Sequence, residues 1–519
     1  MTAAPHTEVA SVVTNAGDGR SRPSRSLTHK TASGFAWMSL VQLVRQLLQL
    51  VSVSILARHI APSAYGLVAM AALVTNFMET IRDVGIGYAL VRERDVNREF
   101  ASTVFWLNCM FGGAATLLLV AASWPAAHFF HEKELVPVLQ LLAISFFLGA
   151  LGVVPTAMLN RAMLFRRVAT AQTSGIVVGA IVAITMAISG KGVWSLVAAS
   201  ITNAATTLLV VWLLSPVQVG FLFRRSDAHR VLHFGLNLTG FHVLNYVSRN
   251  ADNLLVGRFL GSTPLGYYQM GYLLMTYPIN NFANIVAQVV YPAVATLREQ
   301  EERFRAAFLR ACSLIALVTF PLMLGLAVTA GPFTRVLLGP RWLAVAPLLV
   351  VFGPLGAAQS IYTLTGLIYN TTGRTDIQFR WSILCSTVYL ASFVIGLRWG
   401  IVGVASCYAV AWTLLMVPSF SIPLRLVHLS SAELLHAVKP TIAYSLIMTL
   451  AAIGWRAALW GLGLHNAFIE FSTTVVVGAA TYLALLLWRR PPVLAELSVL
   501  ARGSNHPLLR LLAALVPRG

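Results

Sequence analysis

The chain has 519 residues, of which 57% are hydrophobic and 11% charged, less than half the charged fraction of an ordinary soluble domain. No water-facing globule can hide that much apolar side chain, so a soluble fold is excluded. The formal charge of +19 would suit a nucleic-acid binder, but the basic residues are scattered between apolar stretches without a dense patch or reader motif, and nucleic acid is not expected as a partner.

Residues 1–31, with Pro5, Gly17, Gly19 and Pro23 among Ser, Thr and Arg, read as a disordered cytoplasmic tail. They hold no apolar core followed by a cleavage site, so a signal peptide is not expected. From Thr31 to Trp488 the chain returns repeatedly to stretches of membrane-spanning length, at 32–57, 64–91, 101–124, 135–159, 168–189, 192–214, 234–257, 265–291, 306–330, 345–369, 377–397, 401–422, 437–459 and 465–488. Roughly 20 helical residues cross a 30 Å hydrocarbon core. The expected fold class is therefore an all-α polytopic membrane protein of 14 transmembrane helices.

Lysine and arginine are retained on the cytoplasmic side, which tests the span count independently of hydropathy. With the N-terminus inside, 26 of the 37 basic residues fall in cytoplasmic breaks and tails, and 7 in outer breaks. Both termini are expected in the cytoplasm. The breaks are too short for a folded soluble domain. The linker 215–233, with Arg224, Arg225 and Arg230 among Val, Phe and Leu, and the basic tail 489–519 each read either as an amphipathic segment on the inner leaflet or as plain linker.

An internal duplication organises the spans. Arg58-His-Ile-Ala-Pro-Ser-Ala-Tyr-Gly66 through Met70 reappears 200 residues later as Arg258-Phe-Leu-Gly-Ser-Thr-Pro-Leu-Gly266 through Met270. Met158-Leu-Asn160 likewise matches Ile368-Tyr-Asn370, and Lys191-Gly192-Val-Trp matches Trp399-Gly400-Ile-Val. Repeats offset by an even number of spans share orientation. The expectation is two parallel six-helix lobes, 32–214 and 234–422, with two further helices in 423–488. Two lobes facing across a central cavity form a transporter design.

Ionisable groups inside spans cost about 2.5–3.5 kcal/mol each and should face a bundle interior or water. The first span carries Gln42, Arg45, Gln46, Gln49 and Ser52 on one helical face, and its duplicate carries Asn245, Ser248, Arg249 and Asp252. Each lobe thus offers one deep arginine to the cavity. In the second span Glu79 and Arg82 can pair along the helix, with Asp83 beside them, and Arg249 and Asp252 can do the same. Arg45 has no acid within a turn or two, so it needs another helix or a ligand; a phosphate or pyrophosphate suits the guanidinium. The eighth span replaces charge with Tyr277, Asn280, Asn281, Asn284 and Gln288, an amide and aromatic surface able to bond sugar hydroxyls. Arg456 and Glu470, near the outer ends of the last two spans, are expected to snorkel.

Other chemistry is not indicated. Phosphate-loop spacing is absent. His128, His131, Glu132 and Glu134 share one outer loop but read as solvated, so no metal is expected, and no carboxylate pair or nucleophile has a catalytic setting. Cys109, Cys312, Cys385 and Cys407 lie in apolar stretches and read as buried thiols.

Gly34-Phe-Ala-Trp through Arg45, Leu56-Ala-Arg58 through Tyr65-Gly66, Asp83-Val-Gly85-Ile-Gly, Leu90-Val-Arg92, Asn250-Ala-Asp252-Asn-Leu-Leu-Val-Gly257 and Leu265-Gly266-Tyr-Tyr together resemble the bacterial polysaccharide transporters and lipid-linked oligosaccharide flippases. These belong to the multidrug/oligosaccharidyl-lipid/polysaccharide superfamily, and the resemblance is nearest the branch of colanic-acid-type exporters. It implies alternating-access transport of undecaprenyl-pyrophosphate-linked repeat units, precursors of exopolysaccharide or lipopolysaccharide, across the bacterial inner membrane. It makes Arg45 and Arg249 the pyrophosphate-binding candidates. Gln42, Gln49, Asn245, Tyr277, Asn280, Asn281, Asn284 and Gln288 become the sugar-facing candidates, and Glu79, Arg82, Asp83 and Asp252 the coupling or ion-pair candidates. No cofactor is expected; the coupling ion, H+ or Na+, is left open, and a polysaccharide polymerase with its chain-length machinery is a candidate partner. The alternatives are a multidrug antiporter on a similar scaffold, which should have twelve spans, and a membrane-bound glycan-processing enzyme, which should have a large outer loop.

Overall fold

The computed structural model describes residues 49, 51–82, 98–215, 217, 219–224, 246, 249–283 and 300–489, and their regular elements are all helical. A short helix, Val51–His59, leads through a 117° bend into the next element. The order is then α1 (Pro62–Arg82), α2 (Arg98–Phe130), α3 (Leu135–Arg161), α4 (Phe165–Ile188), α5 (Val193–Leu214), α6 (Ala251–Leu260) and α7 (Ser262–Pro278), the last running into a π turn at Ile279–Ala283. After these come α8 (Glu301–Val328), α9 (Ala346–Tyr362), α10 (Thr365–Thr372), α11 (Thr375–Gly396), α12 (Gly400–Arg425), α13 (Ser431–Gly461) and α14 (Ala467–Arg489).

Nine stretches among the described residues are long and apolar enough to span a membrane, or ten when the bent pair is taken as one span. One of the nine, 375–425, is a hairpin: Gly396 packs on Gly403, Tyr389 on Tyr408 and Trp381 on Ser419, in antiparallel succession. Gly400 makes the reversal possible with φ +68°, a conformation that side chains with a Cβ rarely adopt. At the start of α13, the Ser430 hydroxyl accepts from the Glu433 amide while the Glu433 carboxylate accepts from the Ser430 amide at 2.7 Å. That reciprocal cap satisfies two groups that hydrocarbon would leave unpaired. Many large apolar side chains along the helices, Leu118, Ile181, Leu209, Leu414 and Leu450 among them, face outward, as hydrocarbon rather than water permits.

The halves use the same sequence of hairpins. α2 packs on α3, and α4 on α5; in the second half α8 packs on α9, and α11 on α12. α3 meets α5 just as α9 meets α12. The halves join chiefly where α1 lies along α7. There Gly66 faces Gly266. A Cβ on Gly66 would penetrate the Ser262 carbonyl and come within 3.0 Å of the Gly266 nitrogen. A Cβ on Gly266 would penetrate the Pro62 carbonyl and come within 3.1 Å of the Gly66 nitrogen. Pro62 and Ser262, like the two glycines, are 200 positions apart, so the crossing is reciprocal.

α13 and α14 pack together and against α8. Arg456 and Glu470 do not snorkel. Their ion pair spans α13 and α14 at 2.8 Å, with the Glu470 side chain 6% exposed. Arg456 also donates to the Val328 carbonyl at the end of α8. The charges are paired inside the helix packing because two partners lay within reach there, which is less costly than stretching each alone to the headgroups.

Candidate functional site

The α1–α7 crossing is fastened at one end by side chains from both halves. Arg58, just before α1, donates to the Val336 carbonyl in the second half. Its repeat mate Arg258, at the end of α6, meets His131 after α2 in the first half and lies over the Phe129 ring at 5.4 Å. Trp342, fully buried, donates its indole N–H to the Ala57 carbonyl at 2.7 Å and makes a T-shaped contact with the Tyr65 ring. The Glu132 carboxylate accepts the first amide of α7, from Ser262, at 3.3 Å, a charge placed where the helix dipole favours it. Two of the outer-loop residues expected to be merely solvated, His131 and Glu132, are thus part of a clasp between the halves.

Further along, Tyr246 crosses between the halves. Its hydroxyl donates to the Leu73 carbonyl of α1 at 2.9 Å, and its ring lies 5.9 Å from that of Phe77. Glu79, one to two turns beyond on α1, is exposed. Arg249, one turn from Tyr246, is also exposed. The i,i+3 pairing of Arg249 with Asp252 does not form. Asp252 is 6% exposed; its Oδ2 accepts from the Tyr268 hydroxyl at 3.0 Å and its Oδ1 from the Asn253 amide at 2.8 Å. Tyr268 stacks on Tyr272 and makes a T-shaped contact with the Phe352 ring. Behind this, Gln359 donates to the Tyr408 hydroxyl at 2.9 Å.

Of the other sequence candidates, Gln49 is exposed. Tyr277 and Asn280 sit where α7 passes into the π turn, and Asn281 donates to the Tyr277 carbonyl at 2.9 Å. Pro278 cannot supply the amide for a regular α turn, and π turns of this kind recur at functional sites. Gln42, Arg45, Asp83, Asn245, Asn284 and Gln288 lie outside the described residues, as does the side chain of Arg82. Tyr246, Tyr268 and Gln359 were not among the candidates. Tyr268 stands within the Leu265-Gly266-Tyr-Tyr motif, which is the one sequence signal that marked it.

Two halves of membrane-crossing helices, joined by a reciprocal crossing and carrying charge beside it, define a polytopic helical membrane protein. Residues 55–347 match the family described as "Polysaccharide biosynthesis protein", and the chain belongs to that family. It is 24% identical over 377 residues to the lipopolysaccharide biosynthesis protein WzxC of Escherichia coli K12, covering 72% of this chain and 76% of that one. It is 25% identical over 471 residues to the succinoglycan biosynthesis transport protein ExoT of Rhizobium meliloti, covering 88% and 92%. The fold matches the lipid II flippase MurJ in an inward closed conformation, with TM-score 0.70 and 17% identity over 87% of this chain and 98% of that one. The chain is a multi-pass membrane protein.

Proposed function

We propose that the chain moves undecaprenyl-pyrophosphate-linked oligosaccharide repeat units from the inner to the outer leaflet of the bacterial cytoplasmic membrane by alternating access. The observation that carries this reading is the separation of Arg249 from Asp252: the acid takes Tyr268 and a backbone amide instead, and the guanidinium remains exposed. An arginine in a membrane protein without an acidic partner on its own helix favours an anionic guest, and a diphosphate matches its donor fork.

In this account the lobes are 32–214 and 234–422, both termini are cytoplasmic, and Arg45 supplies the matching charge from the first span. The diphosphate and glycan occupy the space between the lobes, where the amides of Asn280 and Asn281 and the Tyr277 ring offer hydrogen bonds and an apolar face to sugars. The polyprenyl tail stays in lipid. Closing one mouth and opening the other carries the charged head across without exposing it to hydrocarbon. Asp252, Glu79 and Asp83 are the carboxylates available to couple the cycle to a proton or sodium gradient. Transport-protein relatives favour this reading over an antiporter for small molecules.

The test is export in cells together with flipping of a defined lipid-linked oligosaccharide in liposomes by Arg249→Ala and Arg249→Lys. Loss of both activities in Arg249→Ala at wild-type abundance, with partial retention in Arg249→Lys, is expected. Wild-type flipping by Arg249→Ala would remove the head-group role.

A further inference from the structure

One contact in the clasp depends on a side chain whose charge changes near neutral pH. His131 follows the end of α2 in the first half, and Arg258 lies in the last turn of α6 in the second. Nη1 of Arg258 rests against the edge of the His131 ring, in reach of Nδ1 and 2.9 Å from Nε2. The guanidinium is half-buried and flanked by the rings of Phe129 at 5.4 Å and Phe259 at 5.9 Å, which favour a cation and hold it in place.

Arginine has donors and no acceptor, and it stays charged at every pH a protein meets. The contact therefore needs an unprotonated ring nitrogen on His131. A neutral imidazole has one in either tautomer, and Nη1 reaches both positions; an imidazolium has none. Among the described residues Arg258 is the ring's hydrogen-bond partner. A proton taken up by His131 removes that acceptor and sets two cations against each other. His131 is exposed, so solvent protons reach it directly.

The surrounding charges do not cancel the effect. Glu132 is engaged with the Ser262 amide, and Lys133 and Glu134, both exposed, offset one another in the same turn. His128 is a second titratable ring on α2, 6.4 Å from that of His131. On the other side, the turn Leu397–Trp399 packs on α6 and adds a further cation, Arg398. The remaining charged residues of α1, α2, α3, α11 and α12 lie at the far ends of those helices, and α7 has none.

We propose that His131 is a proton-sensitive latch between the halves. Neutral, it retains Arg258 and keeps this end closed; protonated, it releases Arg258 and shifts the chain toward a form open at this end. The other clasp contacts, from Arg58 and Trp342 to backbone carbonyls, involve no group that titrates near neutral pH. They set the resting closure, and His131 adjusts it. This inference does not depend on the transported substrate.

The test uses the purified full-length chain in detergent, with its four native cysteines replaced and nitroxides on Lys133→Cys and Arg341→Cys. Distance distributions are measured at about pH 5.5 and about pH 8, on either side of the ordinary histidine range. The longer-distance population should be roughly threefold larger at the lower pH, the scale of one exposed ionic contact. His131→Asn keeps an acceptor oxygen, tolerates the left-handed backbone at this position and does not titrate; it should stay closed at both pH values. Arg258→Gln can donate to a neutral imidazole and accept from an imidazolium, so it should lose the response as well. A parent distribution unchanged between the two pH values would overturn the proposal. So would a response that survives in either variant, which would belong to His128 or to the acids of the neighbouring turn.

Discussion

Gly66 and Gly266, separated by 200 residues in the chain, press backbone to backbone, each one's missing side chain making room for the other helix. A contact this close lets carbonyl oxygens approach Cα hydrogens across the crossing, the usual gain from small residues between membrane helices.

Gly66→Val and Gly266→Val should each force α1 and α7 apart. The expected outcome is strongly reduced accumulation or a lower unfolding temperature in detergent, with similar losses for the two variants because the contact is reciprocal. Unchanged stability in either would show that the helices do not meet so closely.

Arg58 and Arg258 each reach into the opposite half, Arg58 to the Val336 carbonyl and Arg258 to His131. His131 has φ +59°, a strained position for a residue with no task there. Arg58→Ala and Arg258→Ala should loosen the clasp from either side, and the double variant more than each single one. Distances between spin labels at Lys133 and Arg341 should gain a longer population in the variants, against one short population in the parent chain.

Tyr268→Phe removes the hydroxyl that partners Oδ2 of Asp252 and leaves a buried carboxylate with its neighbouring amide. The cost should be about 1–3 kcal/mol, read as a lower unfolding midpoint in detergent. Tyr268→Phe combined with Asp252→Asn should recover part of it.

Glu470→Gln leaves Arg456 between α13, α14 and α8 without its counter-charge, a loss of about 3–5 kcal/mol for a buried pair. Replacing both residues with Met and Leu should be far milder. The thermal midpoints of the single and double variants distinguish a paired lock from two independent surface charges.

The repeated Arg–Gly–Met spacing at 58–70 and 258–270 marked the duplication, and its glycines are visible in sequence because close helix approach requires them, but that these two copies pack on each other was not legible. The hairpin α11–α12 was legible from Trp399-Gly400. The choice of partners was not. Arg249 and Asp252 have the spacing of a helical pair, but Tyr268 lies 16 residues away, beyond the turn at Gly261, and reaches the acid across packed helices. Arg456 and Glu470 looked like span-end charges because their pairing depends on how α13 and α14 are aligned. Arg58 and Arg258 marked the duplication without revealing that each crosses to the other half, since hydropathy says nothing about which loops touch.

The central claim is that Arg249 engages the charged head of a lipid-linked glycan, and its most direct measurement is binding and flipping in one reconstituted system. With purified chain in liposomes and a defined polyprenyl-pyrophosphate oligosaccharide, the account predicts saturable binding that pyrophosphate competes away, and at least tenfold loss of binding and flipping in Arg249→Ala. Binding and flipping by Arg249→Ala at parental levels would contradict it.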